Sequence, residues 1–131
     1  DFVIIVRCDA IAVEGMEAAL ERGARYREAG ADMLFIEAPV GREQVEVVSK
    51  RFKGVPLLYN MAASGKTPDL PADELGKLGF KLAIYPNWMI LAAIPAMQGA
   101  LRELKSTGSI AGLRSKAATF KQFTEIAGLL A

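Results

Sequence analysis

Short runs of apolar residues alternate along this chain with longer stretches in which apolar residues recur every three or four positions. Phe2-Val3-Ile4-Ile5-Val6 is a continuous run of β-branched and aromatic type, the composition of a parallel strand buried on both faces. From Ala12 to Ala29, Met16, Ala19, Leu20, Ala24 and Tyr26 fall at helical spacing with charges between them, which predicts a helix. Glu14 and Glu17 suit the positive end of its dipole, and Gly30 stops it. Asp32 to Glu37 reads as a second short strand. Arg42 to Phe52 predicts a helix with Val45, Val48 and Phe52 on one side, ended by Gly54. Val55 to Asn60 is a third strand, with Pro56 tolerated at its entrance. Ala72 to Leu78 predicts a short helix, Gly79 stops it, and Phe80 to Tyr85 is a fourth strand ended by Pro86. Trp88 to Lys105 predicts a long helix with core positions at Trp88, Met89 and Met97, and Pro95 marks a kink or local irregularity in it. After a loop from Gly108 to Gly112, Ala117 to Ala127 predicts a terminal helix carrying Phe120, Phe123 and Ile126.

The strands start near residues 2, 32, 55 and 80, with a helix in each gap. That is the βα rhythm of a parallel sheet. Four such units are half of a (β/α)₈ barrel, which needs about 250 residues. A small doubly wound domain, complete in itself, is the competing architecture, and strand order separates the two. Residues 1–112 are expected to form the partial barrel, and 113–131 a C-terminal helix available for an oligomer contact. The chain enters its first apolar run directly after Asp1, without an initiator methionine or a signal peptide, and reads as a piece of something longer.

Composition narrows the function classes. Sixteen basic against 15 acidic residues leave a formal charge of +1, which gives no footprint for nucleic acid or an anionic membrane. No apolar run approaches the roughly 20 residues that span a bilayer. One cysteine, Cys8, rules out an internal disulfide and points to a reducing, cytoplasmic setting. The chain has no histidine, which removes Ser/His and Cys/His nucleophile schemes and the commonest transition-metal ligand.

In parallel α/β folds the active site lies at the carboxyl ends of the strands. Those ends hold Arg7 with Cys8 and Asp9, then Glu37, Asn60 and Tyr85, each polar after an apolar run. An arginine and an asparagine facing one cavity suit a carboxylate, bound bidentately by the guanidinium with the amide as a further donor. Structural readings stand beside this one: an Arg7–Glu37 bridge, Asp9 as a helix cap, Asn60 as a turn residue, Tyr85 as rim packing. Cys8 has no nearby base and reads as a buried residue. The Ser64-Gly65-Lys66-Thr67 loop looks like a phosphate-binding loop, but Asn60 stands where the first glycine belongs and Pro68 follows where helix donors are needed. It is read as a connection at the site rim.

Arg7-Cys8-Asp9-Ala10 and its surroundings carry a family resemblance. Val3 to Ala38 resembles the fifth and sixth strand–helix region of the isocitrate lyase / phosphoenolpyruvate mutase superfamily. The resemblance points to the branch of 2-methylisocitrate lyases, oxaloacetate decarboxylases and carboxyphosphonoenolpyruvate mutases. Cys8 replaces a threonine of the family's Arg-Thr-Asp-Ala. Pro56 to Met61 with Gly65 to Pro68 is similar to the seventh strand and its loop, Leu78 to Pro86 to the eighth, and Phe120 to Leu129 to the C-terminal helix.

The resemblance implies strands five to eight of a TIM-type barrel. It also implies a carbon–carbon lyase or decarboxylase using Mg²⁺ to stabilise a pyruvate enolate from a small 2-oxo or 2-hydroxy di- or tricarboxylate. Arg7 and Asn60 match carboxylate-binding residues and Glu37 a residue near the metal-water network, with Asp9 and Tyr85 as further candidates. The phosphonate-forming mutases compared lack an asparagine at the Asn60 position. Asn87-Trp88 departs from small apolar residues usual after Tyr-Pro and sits where substrate size could be set. The family's metal-binding acids and its Cys-Gly-His loop have no counterpart here, so no catalytic residue or metal ligand is expected in this chain, and by itself it is expected to be inactive. A homo-oligomer is implied. The alternative is a non-enzymatic half-barrel, without its own metal site, that pairs with itself or with a separate N-terminal half.

Overall fold

The computed structural model describes residues 2–63 and 66–129. The chain divides into two compact units, Asp1–Trp88 and Met89–Ala131. In the first, β1 (Ile5–Cys8), β2 (Met33–Ile36), β3 (Leu57–Asn60) and β4 (Phe80–Ile84) form a parallel sheet in sequential order. Around them run α1 (Ile11–Glu14), α2 (Met16–Glu28), α3 (Gly41–Arg51) and α4 (Ala72–Lys77). A doubly wound sheet reverses its strand order at a switch point; this sheet does not, and its four βα units are a half-barrel arrangement.

Ile5 pairs with Met33 and Cys8 with Ile36, and Leu34 pairs with Leu57. Because strand side chains alternate, this register sorts residues onto two faces. Cys8, Leu34, Ile36, Leu57 and Tyr59 share one core with Ala19 and Leu20 of α2, Val45 and Val48 of α3 and Leu75 of α4. The opposite face carries Arg7, Phe35, Glu37, Leu58 and Asn60. Phe35 and Leu58 are buried at its centre, while Ile5 and Leu82 on the flanking strands stay 43% and 40% exposed. Burial on both faces, expected of the first apolar run, therefore fails for β1 and holds for the two middle strands. Between Leu57↔Phe80 and Leu58↔Leu82 the register shifts by one residue, and Lys81 is the extra residue of β4.

Three elements depart most from the sequence reading. The first strand lies at Ile5–Cys8, not at 2–6, because pairing rather than apolarity places it: the Ile4 carbonyl accepts from the Asp32 and Met33 amides, and Phe2 and Val3 are exposed. The first helix is broken at Gly15, whose φ of 93° no helix contains, into α1 and α2. The terminal helix, α6 (Phe120–Ile126), begins after Thr119 instead of at Ala117, because Thr119 and Gln122 form a reciprocal capping box. Before it, α5 (Trp88–Thr107) runs through Pro95 as one helix. Trp88, Met89 and Met97, expected in the core, are exposed, as are Phe120, Phe123 and Ile126. No helix among the described residues is long and apolar enough to cross a membrane.

Close approach sets the α2–sheet distance. A Cβ on Gly23 would lie 2.7 Å from the Phe52 ring and 3.0 Å from Ile36 Cδ1, both buried and unable to give way easily. Tyr59 closes the same core, edge-on to Phe80 at 5.1 Å, and its hydroxyl donates to the Pro68 carbonyl at 2.7 Å. Burial, with the charge of Asp69 adding to it, pushes its phenol up to about 12.

Gly23→Ala is expected to lower stability by about 1–3 kcal/mol through overpacking. Gly76→Ala, in a helix where the new methyl meets no atom within 4 Å, is expected to raise it by about 0.4–1 kcal/mol. Urea midpoints of the two variants check the contrast. Tyr59 keeps its proton in the folded chain beyond the pH at which the unfolded chain loses it. Its contribution, on the order of 2 kcal/mol, is therefore full below pH 10 and lost as pH rises towards 12. Tyr59→Phe should flatten this alkaline limb in urea titrations; parallel limbs for the two proteins would refute the assignment.

Candidate functional site

Arg7 stands opposite Phe35 in the ladder, on the face turned away from the core under α2, α3 and α4, with its guanidinium carbon 4.9 Å from the Phe35 ring centroid. Asp9, two residues on, projects to the same side. Its carboxylate accepts from Arg7 Nε at 3.0 and 3.1 Å and from Nη2 at 2.7 Å. The hydrogen bond from Arg7 holds the Asp9 carboxyl below its ordinary range, and the same bond raises Arg7. Both side chains are at least half exposed, so the pair adds little to stability. Its effect is on orientation: Asp9 takes the Nε/Nη2 edge of the guanidinium, and among the described residues Nη1 has no acceptor.

Glu37 follows β2, where its amide donates to the Cys8 carbonyl at 2.9 Å. Its carboxylate lies 3.6 Å from Arg7 Nη2 and accepts from Asn60 Nδ2, at 3.3 Å to each oxygen. Ala38, next in the chain, has φ 60°, a left-handed conformation costly for alanine and of the kind that collects at functional rims. Asn60 ends β3. Its Oδ1 is buried and, among the described residues, receives no hydrogen bond. Turning the amide over would set Oδ1 against the Glu37 carboxylate, so the acceptor is held facing away from Glu37.

Arg7, Glu37 and Asn60 thus meet at the carboxyl end of three adjacent strands, and Asp9 joins them through Arg7. The Asp9 carboxylate serves Arg7; α1 has no side-chain cap. The Arg7–Glu37 bridge is present, but as the longer of two contacts. Tyr85 follows β4, is 46% exposed, and among the described residues forms no hydrogen bond with the other three. Cys8 lies on the helix-covered face, 2% exposed, with its thiol 4.0 Å from the Ala19 carbonyl. Ser64 and Gly65, of the loop resembling a phosphate-binding loop, lie outside the described residues. Among the described residues no three His, Cys, Asp or Glu side chains converge as a metal site, so Asp9 and Glu37 do not by themselves fit Mg²⁺.

Sequence reasoning put these residues at strand ends but did not find that the Asn60 amide is already spent on Glu37, leaving an acceptor free. Nor did it find that the β4–α5 turn grips the chain after Asn60. There the Trp88 indole N–H donates to the Met61 carbonyl at 2.6 Å, and Asn87 Oδ1 accepts from the Ala63 amide at 3.0 Å. A polar Asn-Trp pair directly after Tyr-Pro was the available signal.

Residues 1–105 match the model of the phosphoenolpyruvate phosphomutase family. The chain is 40% identical to 2,3-dimethylmalate lyase of Eubacterium barkeri, over 98% of this chain and 44% of that protein. A solved structure of 2,3-dimethylmalate lyase superimposes with a TM-score of 0.87 at 34% identity, over 97% of this chain and 44% of the other. Identity to 2-methylisocitrate lyase of Aeropyrum pernix is 38%, over 98% of this chain and 41% of that protein. The structure of phosphonopyruvate hydrolase complexed with oxalate and Mg²⁺ gives a TM-score of 0.81 at 29% identity, over 97% of this chain and 45% of that one. The chain therefore spans less than half the length of the relatives it matches. With a family match over residues 1–105 and a parallel half-barrel whose polar strand ends converge, this chain belongs to the phosphoenolpyruvate phosphomutase family of the isocitrate lyase / phosphoenolpyruvate mutase superfamily.

Proposed function

We propose that the protein to which this chain belongs is a carbon–carbon lyase or decarboxylase that cleaves a small 2-oxo or 2-hydroxy di- or tricarboxylate, in the manner of a 2-methylisocitrate lyase or an oxaloacetate decarboxylase. The observation that carries this reading is the convergence of Arg7, Glu37 and Asn60, with Nη1 of the guanidinium and Oδ1 of the amide turned to no protein partner among the described residues. Arg7 supplies a planar donor for a substrate carboxylate, braced by Asp9 and Phe35 so that little freedom is lost on binding. Asn60 Oδ1 accepts from a hydroxyl of the substrate or from a water. Glu37 orients the amide and balances part of the charge of Arg7.

One guanidinium against two carboxylates leaves the cluster formally one unit negative, unfavourable for an anionic substrate unless a cation joins it. Mg²⁺ is the cofactor in this reading, supported by the structure of phosphonopyruvate hydrolase complexed with oxalate and Mg²⁺; when bound it would stabilise an enolate, and because Asp9 and Glu37 do not by themselves make its site, further acids would have to hold it. The reading also includes a cytoplasmic setting, supported by the single buried Cys8, and a homo-oligomer, supported by the exposed apolar stripe of α6.

The full-length protein is expected to release pyruvate from 2-methylisocitrate, 2,3-dimethylmalate or oxaloacetate, and to lose that activity in EDTA. Arg7→Lys is expected to lower kcat/KM by about 10–100-fold, because lysine keeps the charge but not the planar guanidinium that Asp9 and Phe35 hold in place. The chain by itself is expected to bind Mg²⁺ weakly and to turn over none of the three. Pyruvate release that ignores both EDTA and Arg7→Lys would overturn the reading, and robust Mg²⁺-dependent turnover by the isolated chain would overturn the assignment of the metal ligands.

A further inference from the structure

The connection that leaves β3 is held at both ends. At the far end, the buried hydroxyl of Tyr59 donates to the Pro68 carbonyl. At the near end the β3–β4 ladder extends one step beyond Asn60, through the Met61 amide to the Ile84 carbonyl at 2.8 Å. The next backbone groups are then taken by side chains of the β4–α5 turn: the Met61 carbonyl by the Trp88 indole, the Ala63 amide by Asn87 Oδ1. Asn87 and Trp88 thus grip the segment that begins one residue after Asn60. Asn60 needs that grip, since its amide bonds to Glu37 are long, 3.3 Å each, and give it only loose orientation. Its unpaired Oδ1 must be aimed by the backbone that carries it.

We infer that Asn87 and Trp88 are positioning residues: by clamping Met61 and Ala63 they fix the pose of Asn60, and through it the affinity of the site for carboxylate ligands. This inference rests on the proposed carboxylate site. Trp88 is 37% exposed and lies outside the buried core cluster, and its indole N–H bond ties it to the chain just after Asn60. The Asn87 side chain acts in the same way, its Oδ1 accepting from the Ala63 amide.

The test is a mutant cycle in the full-length protein, with oxalate and Mg²⁺ as the probe and calorimetry as the measurement. Trp88→Phe removes one N–H donor and keeps a ring; Asn87→Leu removes the acceptor and keeps the size. Each is expected to weaken oxalate binding about five- to tenfold and to speed hydrogen exchange in the segment around Ala63, with the melting temperature nearly unchanged. In an Asn60→Ala background the same substitutions are expected to cost nothing further, because the group they aim is gone. Full additivity with Asn60→Ala, faster exchange without loss of affinity, or unchanged exchange would each overturn the inference. If Asn87→Leu unfolds the protein, the Trp88→Phe arm decides alone. A native protein that binds no oxalate with Mg²⁺ would instead sink the functional reading on which the inference stands, whatever exchange shows for the clamp.

Discussion

In a parallel ladder each residue faces away from its neighbours in the chain, and the pairing of Ile5 with Met33 decides which side of β1 and β2 carries charge. Cys8, Ile36 and Tyr59 go to the helices; Arg7, Glu37 and Asn60 go to the other side. A slip of one residue between β1 and β2 would bury a guanidinium or a carboxylate under the helices, at a cost far above any local contact in the site. The apolar core thus enforces the convergence of the polar groups, although none of them belongs to it. The small residues Ala19 and Gly23 matter for the same reason, because they let α2 lie close enough to hold this register.

The polar cluster is built as a chain of supports. Phe35 carries the guanidinium face, Asp9 its edge, and Glu37 stands between Arg7 and Asn60. Because these pairs are largely solvent-exposed at the Arg7 end, their contribution is to geometry and not to folding.

The βα alternation of a parallel sheet and most of α3 and α4 were legible in the sequence, because Val45, Val48 and Phe52 recur at helical spacing and Gly54 and Gly79 mark the helix ends, whereas the pattern alone left strand order open between a barrel and a doubly wound sheet. β1 was misplaced because hydrophobicity was read as pairing; Phe2 and Val3 are apolar but have no ladder partner, while Arg7 and Cys8 have one. Gly15 went unread because glycine in a periodic stretch signals either a tolerated residue or a break, and only the backbone shows which. Thr119-x-x-Gln122 carries a helix-start signal, whereas apolar spacing alone points to Ala117. At the site, residue identities were legible and their bonds were not. Whether the Asn60 amide offers a donor or an acceptor depends on where Glu37 stands, and that is fixed by register across two strands.

The extra residue in β4 also sets phase. Were Lys81 in ordinary sequence with its partners, Leu58 would face it, and every later side chain of β4 would point the opposite way. Ala83, which packs beside Tyr59 on the helix side, would then turn to the charged face, and Ile84 would move into the helix core. The turn carrying Asn87 and Trp88 would be reached with the strand rotated by half a period, its side chains directed away from Met61 and Ala63. The irregularity is in effect a one-residue clock correction, made early in the last strand so that the turn beyond it arrives in step with β3. An exposed lysine whose own side chain touches nothing in the site would on this account be intolerant of deletion and tolerant of substitution, a pattern that separates the number of residues in a strand from their chemistry.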